Sequence, residues 1–130
     1  MKLILYRDPY NESFLYAIGH IDTVSGLVYR DPYSELKGNG NCIGCVRNGY
    51  VYSDPYSEFA NFRIGHYRDD GRIYREPYSE SSMYCIGHVD KDGIIYNDPY
   101  SESSFCAWGH IENNVFSPEA AAAFMLLLPR

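Results

Sequence analysis

The sequence predicts an all-β fold with one C-terminal helix: a closed ring of five β-hairpin repeats, about ten antiparallel strands, around a central apolar helix. Three observations carry this. The phrase Tyr-x-Asp/Glu-Pro-Tyr begins at Tyr6, Tyr29, Tyr52, Tyr74 and Tyr96, at spacings of 23, 23, 22 and 22 residues. Each copy contains an aliphatic strand pattern, and the first four carry a Gly-bearing turn. After the last copy comes an unrepeated run, Ala120 to Leu128, that is apolar on every side. The 130 residues read as one domain, 1–130, with the repeats over 3–116 and the helix over 117–128.

Within a repeat the columns explain themselves in order. Leu5, Val28, Val51, Ile73 and Ile95 precede the first Tyr and read as inward-facing strand positions. Asp8, Asp31, Asp54, Glu76 and Asp98, each followed by Pro, start a turn, because the fixed φ of Pro suits its second position. Glu12, Glu35, Glu58, Glu80 and Glu102 come next. A variable stretch then leads into Ile-Gly-His at 18–20, 64–66 and 86–88, Trp108-Gly109-His110, and Ile43-Gly44-Cys45. Glycine in mid-strand marks a bulge, a bend or a close approach. Thr23 to Gly26, Arg47-Asn48-Gly49, Asp69-Asp70-Gly71 and Lys91-Asp92-Gly93 make the second tight turn, since Asn-Gly and Asp-Gly are strong hairpin signals. A period this short leaves about five or six residues per strand and no room for a helix.

Copies one and five keep the full apolar pattern, so nothing resembles the polar caps of an open stack, and closure removes the edges instead. Two segments compete for the closing position, Leu3–Tyr6 and Val115-Phe116; the first is expected to fill it. Ser117 suits an N-cap, Pro118 the first helical position and Glu119 the positive end of the dipole. The helix is then about eleven residues, stopped by Pro129. Its alanines allow close approach at one end, while Phe124 to Leu128 fill the other. A ten-stranded barrel is too wide for its own side chains to fill, and a helix apolar all round is buried all round.

Five hairpins in a ring resemble the β-flower proteins, symmetric bacterial barrels built from repeated hairpins. The architecture is also similar to the Tubby C-terminal domain, a barrel around a hydrophobic helix. That likeness implies lipid association; the Tubby-like mode uses basic residues, and this chain has no comparable basic cluster. Trp108-Gly109-His110-Ile111-Glu112 resembles a WG repeat, and the period resembles MORN repeats.

Composition excludes some partners. A net charge of −6 with 14 tyrosines, ten of them in the repeated phrase, argues against nucleic acid, which requires clustered Lys and Arg. The run from Met1 to Tyr6 is too short for a secretory leader and no apolar stretch is long enough to span a bilayer, so the expected location is cytoplasmic with reduced thiols.

The histidine column, His20, His66, His88 and His110 with Cys45, is expected to be structural, bonded to the adjacent turn, because equivalent positions around a ring start about 10 Å apart and do not converge on one ion. No metal site or cofactor is expected. Cys42 and Cys45 form a lone C-x-x-C whose thiols face opposite sides of a strand, and neither redox nor zinc chemistry is expected of them. Catalysis requires one base against one nucleophile, whereas nearly every polar residue here has copies elsewhere, so an enzyme is not expected. What remains is a rim of Tyr10, Tyr33, Tyr56, Tyr78 and Tyr100 beside Glu12, Glu35, Glu58, Glu80 and Glu102, read as five equivalent shallow sites at one end of the ring. Aromatic faces beside carboxylates suit sugars or cations. The expected function is a non-enzymatic binding module for a small molecule, glycan or protein. Membrane association is the alternative, and a purely structural or self-assembling role the third reading. The symmetry is broken by Cys45, Trp108 and the insert Lys37 to Asn41.

Overall fold

The computed structural model describes residues 2–38 and 40–128. Met1, Asn39 of the insert and Pro129, the expected helix stop, lie outside the described residues. Ten antiparallel strands close into a barrel. They are β1 Lys2–Tyr6, β2 Ala17–Asp22, β3 Leu27–Tyr29, β4 Cys42–Arg47, β5 Tyr50–Tyr52, β6 Arg63–Tyr67, β7 Arg72–Tyr74, β8 Cys85–Val89, β9 Ile94–Tyr96 and β10 Ala107–Ile111. Neighbours in sequence are neighbours in the wall, and β1 closes it by pairing with both β2 and β10. The closing strand is therefore the N-terminal segment, as expected; Val115 forms no strand.

The turn chemistry acts where expected. Asn48 and Gly49 both adopt positive φ, 54° and 87°, the conformation of a two-residue turn whose twist matches the strands, and Arg47 pairs directly with Tyr50 across it. Strand lengths differ from expectation. From the second repeat on, the strand before the Asp/Glu-Pro step has only three residues, because the chain leaves the sheet at its Tyr. The connection that follows is no tight turn but a long loop, closed at its neck by backbone bonds such as Arg7 N–H to Tyr16 O at 2.8 Å. Four of these loops contain a single 3-10 turn, at Phe14–Tyr16, Ala60–Phe62, Ser82–Tyr84 and Ser104–Cys106. One such turn fits in three residues, so the expectation of no helix held for α-helix alone. In the second repeat Asn41 substitutes for that turn: its Oδ1 accepts from Asp31 N–H and its Nδ2 donates to Leu36 O.

Helix α1, Pro118–Leu127, runs through the barrel. Ser117 caps it, accepting from Ala120 N–H at 3.1 Å. Ala120 to Phe124 are completely buried against Leu5, Ile21, Val28, Val46, Ile73, Ile95 and Ile111. Ten residues span about 15 Å, and the last part of the apolar run is not enclosed: Leu126, Leu127 and Leu128 are only half-buried.

The mid-strand glycines make this packing possible. The ladder shifts register beside each of Gly19, Gly44, Gly65, Gly87 and Gly109. A bulge turns two consecutive residues toward the same face, here the Ile (or Trp108) and the Gly. A methyl group on Gly109 would overlap the carbonyl of Tyr6 and meet the Phe124 ring at 2.7 Å.

Candidate functional site

Strand alternation puts Val28 against the helix and Leu27 and Tyr29 on the outer face. The outer face is not open to solvent, because the long loops fold back over it. His20, His66, His88 and His110 are buried there. Each lies flat on the repeat tyrosine opposite it, with ring centres 4.5–5.0 Å apart, as Tyr29, Tyr74, Tyr96 and Tyr6 respectively. Each Nδ1 donates to the carbonyl of the acidic residue that starts the covering loop: Asp31 at 2.7 Å, Glu76 at 2.5 Å, Asp98 at 2.5 Å and Asp8 at 2.6 Å. Cys45 does the same with Asp54 O at 3.5 Å. The column is bonded to the adjacent turn.

The glutamates complete this layer. Nε2 of His110 is 3.0 Å from Glu12, of His88 3.1 Å from Glu102, of His66 3.6 Å from Glu80 and of His20 3.9 Å from Glu35. Glu58, opposite Cys45, reaches Arg47 and Asn48 instead, and Glu80 also pairs with Arg68. The five glutamates therefore do not stand on an end rim. They lie along the outer wall and reach toward the hairpin turns, because the buried imidazoles draw the loops back over the strands. The His20 pair is the loosest: its Nε2 is buried without a hydrogen bond, and burial above all holds its pKa below the ordinary value.

The tyrosines beside them are exposed, from 56% at Tyr33 to 70% at Tyr10. Three already face a cation of the same chain. Arg63 donates to the Tyr78 hydroxyl and stacks 4.0 Å from the Tyr50 ring centre, Arg72 lies 4.9 Å from Tyr100, and the Lys37 ammonium is 5.6 Å from Tyr56. Among the described residues Tyr10 and Tyr33 carry no such cation.

Cys42 and Cys45 do not face opposite sides. The bulge between them reverses the parity of the strand, so both pack against the outer Tyr29–Tyr52 cluster. Burial raises both thiols above their ordinary pKa, the opposite of what a reactive thiolate requires. Among the described residues no three metal-ligating side chains gather, and no helix is long and apolar enough to cross a membrane.

The sequence reading missed one feature. Although the helix occupies the barrel, it leaves a cavity of about 780 Å³ at its C-terminal mouth, lined by Arg7, Arg75, Ile86, Ala107, Trp108, Phe124, Met125 and Leu128. Trp108 and Phe124 form its aromatic floor, with ring centres 6.5 Å apart. With its amide turned to satisfy both neighbours, Asn97 accepts from the indole N–H at 2.9 Å. The only hint in the sequence was Trp108 in an otherwise isoleucine column.

Fold and site together define a ten-stranded antiparallel β-barrel plugged by a helix, with a half-apolar mouth. No family model, curated protein or solved structure matches the chain.

Proposed function

We propose that the chain is a non-enzymatic binding module of β-flower type that takes a small ligand at the mouth of its barrel. The mouth cavity carries this reading. It lies within the usual range for ligand sites, roughly 300–1,000 Å³, and sets two arginines beside six apolar side chains, the pairing of apolar wall and few polar groups that such sites show. The recurring polar groups are by contrast occupied with one another: His with Tyr, carbonyl and Glu, and Asp with turn N–H groups. Among the described residues no base is left poised against a nucleophile, which argues against catalysis. Four unpaired cysteines suit the cytoplasm, which is the compartment we propose.

The test uses the sole tryptophan, Trp108. A neutral apolar fluorophore such as N-phenyl-1-naphthylamine is expected to accept energy from Trp108 on binding, and a Leu128→Trp variant that fills the mouth is expected to block it. Absence of binding by the unaltered protein would remove the reading.

The exposed tyrosines give a second reading. Three of them already hold a cationic side chain, so Tyr10 and Tyr33 are the places for an external cation or sugar. Tetramethylammonium titration followed by tyrosine ring shifts tests the first ligand and a glycan array the second; unchanged shifts and a silent array end it. The membrane alternative is weaker. Release of α1 would empty the core that Ala120 to Phe124 fill, and flotation with anionic vesicles is expected to leave the protein unbound.

A further inference from the structure

We infer that the mouth cavity binds a single-chain amphiphile with an anionic head group, the head held between Arg7 and Arg75 and the chain laid on Trp108, Phe124 and Leu128. This rests on the mouth being the binding site and names the ligand class. The two arginines occupy one column of the repeat, the residue directly after the strand tyrosine, where the chain has Arg7, Arg30, Ser53, Arg75 and Asn97. Arg7 leaves β1 and Arg75 leaves β7, and the wall between them is β8, β9 and β10. The middle of that arc is uncharged, since Asn97 there is bonded to the Trp108 indole. Two positive charges therefore flank an apolar floor built from Ile86, Ala107, Trp108, Phe124 and Met125.

Among the described residues no carboxylate lines the cavity, and neither guanidinium has an ion-pair or hydrogen-bond partner. The nearest acids in sequence are already engaged: Asp8 Oδ1 accepts from Tyr10 and Asn11 N–H at 2.8 and 2.9 Å, and Glu76 Oε2 from Tyr78 and Ser79 N–H. Guanidinium groups suit carboxylate and phosphate oxygens. The attraction is local, because the whole chain carries a net charge of −6. That balance disfavours a polyanion and selects a compact head with a hydrocarbon chain.

The experiment titrates the full chain with dodecanoate, dodecyl phosphate and dodecanol below their aggregation thresholds, following Trp108 emission. It is repeated on an Arg7→Gln/Arg75→Gln variant, whose altered side chains are exposed and outside the core, with circular dichroism as the check on folding. At least one anion is expected to bind about tenfold more tightly than dodecanol, an advantage the variant loses while its dodecanol affinity stays the same. The two anion arms distinguish a carboxylate from a phosphate head. Equal affinity for all three, or a preference that survives the double substitution, overturns the inference and leaves the apolar-cavity reading standing. If neither dodecanol nor the neutral fluorophore binds, that reading fails as well.

Discussion

Glu12 and His110, 98 residues apart in sequence, meet with Oε2 and Nε2 3.0 Å apart, and the same imidazole donates through Nδ1 to Asp8 O at 2.6 Å. The contact clasps the first loop over the last strand at the seam where β1 meets β10. The ring is 1% exposed and stacks on Tyr6, so His110→Ala removes a stack and strands a carbonyl. A loss of about 2–4 kcal/mol is expected in urea unfolding. The partner carboxylate is 42% exposed, so Glu12→Gln should cost less than about 1 kcal/mol. Equal losses from the two would place the clasp in the contact between Glu12 and Nε2 and not in the buried ring.

The glycine column predicts a graded response. Gly109→Ala places a methyl against both the Tyr6 carbonyl and the Phe124 ring, whereas at Gly65 the contacts are backbone alone, from Tyr74 and Arg75. Overpacking of this kind costs about 1–3 kcal/mol. Both methyls meet strand backbone, which yields little, so Gly65→Ala is expected within that range and Gly109→Ala, which meets the Phe124 ring as well, at or above its top, measured as shifts in thermal midpoint. A Gly109→Ala protein as stable as the unsubstituted chain would mean that the helix does not press on the wall there.

These two cases mark what could be read from the chain. The aliphatic column, the glycines and the Asn48-Gly49 turn act locally, so their roles were legible at the residue level. The bulge reverses side-chain parity between Cys42 and Cys45, and a strict count of two per strand cannot see it. The folding-back of the long loops was illegible for another reason. It depends on imidazoles meeting carbonyls ten or eleven residues away, as His20 meets Asp31, or across the seam, as His110 meets Asp8, and no local signal specifies which face a loop will cover. The mouth cavity arises because the apolar run ends beside a wall that bears Trp108, a relation between segments and not a motif.

His20 gives a pH dependence with a definite sign. Burial holds its folded pKa below the ordinary 6.5, so the unfolded chain takes up the proton first as pH falls. Stability from this residue is present above about pH 6.5 and declines as the pH drops from there toward the folded pKa. The second repeat supplies a non-titrating replacement, since Cys45 occupies the same column. His20→Cys is expected to flatten the fall in unfolding free energy between about pH 7 and pH 5 relative to the parent. Parallel pH profiles for the two proteins would show that His20 takes up a proton equally easily in both states.

The thiols offer the last check on the layered outer wall. Cys45 is fully buried among Leu27, Tyr29 and Tyr52, with its Sγ on the Asp54 carbonyl, and burial raises its pKa. Thiolate is the reactive form, so low access and low ionisation act in the same direction. In the native protein at neutral pH, iodoacetamide mapped by peptide mass spectrometry is expected to leave Cys45 unmodified while the half-buried Cys42, Cys85 and Cys106 react slowly; in denaturant all four should label alike. If Cys45 were modified as fast as Cys42 under native conditions, the loop from Ser53 to Phe62 would have to open readily, and the outer layer would be a mobile cover instead of part of the folded core.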